Sequence, residues 1–467
     1  MMATTRHQAL VNDPRVAAAR ALLHAAIAEH QSALPSSPMP ANPALTPAYD
    51  AMLARFAITR GRGLFFPYLG SGLGRGAWVE LADGSVKLDF ISGIGAHPFG
   101  HGGPELIDAH LDAAFGDGVM QGNLQQNPES LEFSERLLDE ANRGAPGQFA
   151  HAFLTTTGAM ANENGAKVLF QRKAPATRVL AFSHCFAGRT LGMSWVTDKH
   201  AGRVGLPKVL DVDYIPFYDP EKGEASTRHA VSVLRRHLER YQGQHALFIA
   251  ELVQGEGGYH TGTTAFYRAL FELCRAHGVG VMIDEVQTFG RTHEMFAFQH
   301  YGIADLVDVV TVGKLSQVCA TLFRAEFNPS PGLLSQTFTG ATSALYFGLT
   351  VLQRLRDDHH FGADGRNAAI HRYFVAHLER IAAAHPDWVA GPFGVGAMVG
   401  FTPFGGDGKR ATLLLNRLYA NGLMGFNAGS EPTRLRFLVP LLAVTDADID
   451  AAVAILEATL AEVDAEA

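Results

Sequence analysis

Apolar runs alternate with stretches of helical spacing through the middle of the chain, from about position 95 to 350. Runs rich in Val, Ile, Leu and Phe at 150–155, 179–183, 246–252, 279–284, 308–313 and 321–326 predict buried strands. Apolar positions recurring every three or four residues over 104–115, 128–142, 159–172, 225–241, 263–277 and 341–356 predict helices. That alternation predicts an α/β fold with a mostly parallel sheet covered on both faces. After 357 the rhythm changes to a helix over 365–384, short strands at 396–402 and 434–438, and a closing helix over 446–465, which predicts a smaller α+β domain. Upstream, the Ala-rich stretch 8–33 has helical spacing, and five prolines between 34 and 47 read as a linker or a surface strap. Residues 76–92 predict a hairpin turning at Asp83-Gly84. The expected organisation is an N-terminal segment 1–90 contributing to the small domain, a large domain 91–350, and the rest of the small domain at 351–467.

Bulk composition narrows the class. A chain of 467 residues suits two domains or one large α/β unit. Hydrophobic content of 47% with 18% charged residues is that of a globular protein. The net charge of −8 argues against a general nucleic-acid binder. Cys185, Cys274 and Cys319 follow no pairing or zinc spacing, which fits a reducing compartment. With no apolar run long enough to span a bilayer and no signal-peptide pattern, no membrane association is predicted and the cytoplasm is the expected location. His97 and His101 are four apart, but Pro98 and Gly100 between them argue against a helix offering both to a metal, so no metal is predicted.

Two charged residues close apolar runs. Lys314 follows Val309-Val310-Thr311-Val312-Gly313, and Asp284 follows Val279–Ile283. Burying such groups is costly without a purpose. One chemistry uses the pair: pyridoxal phosphate held covalently on a lysine, with an acid at its ring nitrogen. Ligands in parallel α/β sheets collect at the carboxyl ends of strands, where further candidates would converge. Thr155-Thr156-Thr157-Gly158-Ala159 feeds a helix and offers a phosphate site, or simply a capped helix start. Phe186 is placed to stack on a cofactor ring and Arg189 to hold a carboxylate, although each alone also reads as a core aromatic and a surface charge. Val286, two residues after Asp284, would pack on the ring, and Gln287 would bond its hydroxyl. Asp284 alone also suits a magnesium ion or a helix cap, and Lys314 alone a lysine snorkelling from a strand end.

In order along the chain stand Thr157-Gly158-Ala159-Met160-Ala161-Asn162-Glu163, Phe186-Ala187-Gly188-Arg189-Thr190, Glu251-Leu252-Val253-Gln254-Gly255-Glu256-Gly257-Gly258, Asp284-Glu285-Val286-Gln287-Thr288 and Val312-Gly313-Lys314. This series resembles the signature of class III (ω-type) pyridoxal-phosphate aminotransferases, the group holding the ornithine, acetylornithine, 4-aminobutyrate and lysine ε-aminotransferases. Leu88–Gly95 with Gly100-His101, and Arg434–Leu441, resemble the family's flanking strands, so the match spans about 75–445.

The resemblance implies a pyridoxal-phosphate fold type I enzyme, with a large domain of mostly parallel mixed sheet and a smaller α+β domain. It implies Lys314 as the cofactor-bearing lysine and Asp284 as partner of the pyridine nitrogen. Gly158 and Ala159 match the phosphate cradle, Phe186 and Val286 the two ring neighbours, and Gln287 the partner of the ring oxygen. Thr337 matches a threonine reaching the neighbouring subunit's phosphate, which implies a homodimer with sites at the interface. Glu256 and Arg436 match a pair in which the glutamate masks the arginine for one substrate and releases it for 2-oxoglutarate. Arg189 would take the far carboxylate, and Ile94 matches a position that is apolar in the 4-aminobutyrate type and tyrosine in the ornithine type. The implied reaction moves an ω-amino group to 2-oxoglutarate; racemisation or epimerisation, aminomutation or decarboxylation on the same scaffold is the alternative. The sequence departs from the family at Met160, Ala187 and Leu252 and after Lys314; Ala187, in place of a bulkier residue, would leave room behind the stacking ring.

Overall fold

The computed structural model describes residues 5–466. The chain forms two compact units: one runs to Asp117 and takes up Ile370–Pro392 and the residues from Val399 on, and the other holds Gly118–Ala369 with Phe393–Met398.

The second unit is built on seven strands: β1 (His151–Thr155), β2 (Arg178–Phe182), β3 (Asp211–Ile215), β4 (His245–Ala250), β5 (Gly280–Asp284), β6 (Val309–Val312) and β7 (Cys319–Phe323). Their spatial order is β1-β7-β6-β5-β4-β2-β3, and only β7 runs antiparallel to its neighbours. Every residue of β4, β5 and β6 is buried, as apolar runs covered on both faces require. Register decides what meets at the carboxyl edge. Ile283 pairs with Ala250, so the next residues, Asp284 and Glu251, leave the sheet side by side. Asp284 pairs with Thr311, three residues before Lys314. Antiparallel β7 begins at this same edge, with Cys319 opposite Thr155.

The helix Gly158–Lys173 covers this sheet with a face of small residues. A Cβ on Gly165 would come within 2.8 Å of the Met282 methyl carbon, so glycine permits the close approach of helix to β5. β3 was not expected from the sequence. It is the edge strand, short and half-exposed, and Asp211 and Asp213 break its apolar run.

Two four-stranded sheets lie wholly or mostly in the first unit. One joins Gly70–Arg75, Trp78–Leu81, Val86–Asp89 and Leu423–Met424; the other joins Val389–Val395, Met398–Pro403, Arg434–Leu438 and Phe426–Ala428. The predicted helix over 8–33 is two helices, Arg6–Val11 and Pro14–Ser32. Pro14 lacks an N–H and starts a helix well, and the Asp13 side chain caps the Arg15 amide at 2.8 Å. The Pro-rich stretch is a strap: Met39 exchanges backbone hydrogen bonds with Val86, and the Asn42 amide donates to the Asp83 carbonyl at 2.8 Å. Among the described residues no helix is long and apolar enough to cross a membrane.

Candidate active site

The carboxyl edge of the sheet gathers most of the candidate residues within one unit. Asp284 ends β5 with 6% of its surface exposed. Its Oδ1 accepts the Val286 amide at 2.9 Å and its Oδ2 accepts Nδ2 of Asn162 at 2.7 Å. Asn162 is itself fixed: Nδ2 also donates to the Ala187 carbonyl at 2.8 Å, and Oδ1 accepts the Thr311 hydroxyl at 2.7 Å. Burial raises the Asp284 pKa, while the Val286 amide, Asn162 and the charge of Lys314 pull it down. Asn162 lies inside a recognised motif but was not among the expected site residues. An amide side chain on the sheet-facing side of a helix, one turn after Gly158, was the available signal.

Lys314 opens a 3₁₀ turn, Lys314–Ser316, directly after β6. Its φ of 53° is left-handed, a conformation that costs a non-glycine residue about 1 kcal/mol or more and that collects at functional sites. Val286 links acid, lysine and helix start. A Cβ on Gly158 would lie 2.7 Å from its Cγ1, and one on Gly313 would lie 3.2 Å away. At the start of the helix the Thr157 hydroxyl accepts the Met160 amide at 3.2 Å. The Gly158 and Ala159 amides have no acceptor among the described residues and point out of the helix as an anion site.

Phe186 follows β2 and its amide donates to Glu251 Oε2 at 2.9 Å. Gly188, at φ 131°, lets this loop touch the helix start; a Cβ there would lie 2.5 Å from that of Ala159. The Arg189 guanidinium carbon stands 5.1 Å from the Phe186 ring centre. It is exposed and makes no hydrogen bond or ion pair among the described residues. Gln287 is buried, with the backbone of Gly255 against its amide group, where a Cβ would come within 2.3 Å. Glu256 follows on the same turn and is half-buried. Gln336 binds β1, its Oε1 accepting the Thr155 hydroxyl at 2.5 Å, while the adjacent Thr337 is exposed and Phe338 is 59% exposed.

Two candidates lie in the first unit. Arg436 is fully buried in its strand, 5.8 Å from the Phe426 ring centre. Ile94 sits in a left-handed run from Ser92 to Gly95 with φ between 48° and 80°. The room expected at Ala187 is filled. Its methyl group is 5% exposed and belongs to a core with Cys185, Met193 and Val196, and its amide donates to the Thr197 hydroxyl at 2.9 Å.

Two further carboxylates share the edge. Glu251 is pushed up by burial and by the charge of Asp284. Glu285, fully buried, accepts the Thr288 hydroxyl and the Phe298 amide, and burial raises its pKa from 4.5 to about 7. Between those values the folded state holds a proton that the unfolded state has released, so the contribution of Glu285 to stability falls as pH rises from 4.5 to about 7. Comparing thermal midpoints of cofactor-free wild type and Glu285→Gln across that range isolates this group: the variant should lose less, or gain more, stability than the wild type as pH rises.

Pyridoxal phosphate fits this set. Two unused helix-start amides suit its phosphate, a buried carboxylate suits its ring nitrogen, and a half-buried lysine on the neighbouring strand end suits its aldehyde.

The family model described as "Aminotransferase class-III" matches residues 71–460. An acetylornithine aminotransferase of Caldanaerobacter subterraneus is 28% identical over 405 residues, covering 84% of this chain and 94% of that protein. A diaminobutyrate–2-oxoglutarate transaminase of Vibrio cholerae is 27% identical over 411 residues, covering 85% and 96%. The solved lysine aminotransferase of M. tuberculosis superposes with a TM-score of 0.78 at 25% identity, covering 88% of this chain and 99% of that one.

Proposed function

Because the chain belongs to the class III aminotransferases, enzymes that work with pyridoxal phosphate, we propose that it moves a terminal amino group from a diamino or amino acid to 2-oxoglutarate, yielding glutamate. The observation that carries this reading is the Arg189 guanidinium, exposed beside Phe186 with no acidic partner among the described residues. A planar fork in that position suits a carboxylate far from the reacting amine. The names of the relatives agree: their donors are acetylornithine, diaminobutyrate and lysine, and one names 2-oxoglutarate as acceptor.

Bound at this edge, pyridoxal phosphate supplies the electron sink for the bond broken at the amino-bearing carbon. Lys314 would provide the amine that holds the cofactor, and its Nζ would be the base for the proton on the substrate carbon. Asp284 holds a proton at the pyridine nitrogen. Gly158 and Ala159 would hold the phosphate, Phe186 and Val286 would pack on the ring, and Gln287 would bond its oxygen. Ile94 and Arg436 keep the substrate-binding roles that the resemblance gives them, as does Glu256. Exposed Phe338 beside Thr337 supports a homodimer in which Thr337 reaches the neighbouring phosphate, and sedimentation velocity reads the dimer directly. Three buried free cysteines agree with a cytoplasmic setting.

Arg189→Ala tests the donor class. Losing a charge-assisted contact of about 1.5–3 kcal/mol should raise KM for ω-amino acids about 10- to 100-fold. KM for alkyl amines without a carboxylate should stay near the wild-type value. Equal effects on both substrate types would remove the carboxylate role.

A further inference from the structure

We propose that Glu251 is a positioning residue whose single carboxylate clamps together the two segments that carry Phe186 and Gln287's packing partner Gly255. This rests on the reading that Phe186 lies against the cofactor ring. Glu251 follows β4, and the register places it beside Asp284, where it is 7% exposed. Its two oxygens are divided between two chain segments. Oε2 accepts the Phe186 amide from the loop after β2 at 2.9 Å, and Oε1 accepts the Gly255 amide from the turn before Glu256 at 3.0 Å.

Each tie leads to a different residue expected at the cofactor. Through one, fixing the Phe186 backbone fixes the origin of its ring and, three residues on, of Arg189. Through the other, fixing Gly255 presses its Cα against the Gln287 amide group, with no space for a Cβ. One buried side chain therefore holds the backbone of Phe186 and of Gly255 at a fixed spacing. Both tied groups are N–H donors, so the clamp needs two acceptor oxygens. Glutamine offers one and would turn its NH₂ towards the other amide. Alanine offers none and leaves two buried amides unsatisfied, each a penalty of the kind that proteins rarely tolerate. Asn162 anchors the acid in a similar way, but it touches Asp284 itself, whereas Glu251 acts on the walls around it.

The experiment titrates cofactor-free wild-type, Glu251→Gln and Glu251→Ala proteins with pyridoxal phosphate. It follows affinity through the visible absorption of bound cofactor, and ring fixation through circular dichroism in the same band. The melting midpoint of each cofactor-free protein serves as the folding control. Both variants should bind at least tenfold more weakly, with the visible dichroism per bound cofactor cut by half or more. The near-isosteric Glu251→Gln protein should stay folded, its cofactor-free melting midpoint lowered only modestly by the one amide left without an acceptor, so it decides the matter if Glu251→Ala fails to fold. Affinity and dichroism at wild-type values in Glu251→Gln would overturn the clamp. Wild-type protein that develops no visible band at all would instead sink the cofactor reading on which the clamp depends.

Discussion

Lys314→Ala is expected to lower kcat by about four orders of magnitude, since on the proposed reading the residue serves as both nucleophile and proton carrier, and proton transfer by a placed side chain alone contributes about 10²–10⁴-fold. None of the residues closing β1 to β5 is a lysine: they are Thr155, Phe182, Ile215, Ala250 and Asp284. The variant should still bind pyridoxal phosphate through the helix-start amides and Asp284, but gel filtration should strip it, whereas the wild type should keep its cofactor. Folding should survive, because the turn at Lys314 is held by its neighbours: the Ser316 hydroxyl donates to the Val318 carbonyl at 2.8 Å. Activity within tenfold of wild type would show that Lys314 is not the cofactor's lysine.

Asp284→Ala should weaken pyridoxal phosphate binding and lower kcat, each by about 10²–10⁴-fold, the equivalent of the roughly 3–5 kcal/mol lost when a buried charge loses its partner. The argument is local. Asp284 is almost fully buried, and two donors, the Val286 amide and Asn162, are aimed at its oxygens. Burial raises its pKa from the usual carboxylate value to about 6, while these donors and the charge of Lys314 pull the other way and limit the rise. With the carboxylate gone, a protonated ring nitrogen has no counter-charge and two donors lose their acceptor. Cofactor titration and steady-state rates read both effects. A variant that binds and turns over normally would mean that the acid sits elsewhere.

The chemistry was legible where it coincides with a strong local pattern. β5 and β6 are buried on both faces, so their apolar runs are unbroken and the charged residue ending each run stands out. The helix Gly158–Lys173 was legible from its capped, glycine-containing start. β3 was not, because an edge strand needs no continuous apolar run and Asp213 within it is satisfied by Arg178 and His245. The break between the first two helices was masked by alanines that suit a helix on either side of it, and no residue of Pro14–Ser32 is buried to set a period. Asn162 and Glu251 were visible as motif letters, but their work depends on contacts that sequence spacing does not carry. Glu251 reaches an amide 65 positions away, and Asn162 a carboxylate 122 positions away. The room expected at Ala187 failed for a similar reason: a small side chain opens space only if its neighbours leave it open, and the core around Met193 and Val196 closes it.

The central claim, ω-amino transfer, is tested most directly by spectra of the cofactor-loaded protein mixed with one amino compound at a time and no keto acid. The panel holds ornithine, N-acetylornithine, lysine, 4-aminobutyrate and diaminobutyrate. Transfer predicts that at least one of them removes the visible band, yields one equivalent of carbonyl product per site and then stops, and that 2-oxoglutarate restores the band while glutamate appears. A band that persists while product accumulates beyond one equivalent without any keto acid would contradict the claim and point to racemisation or decarboxylation at the same residues.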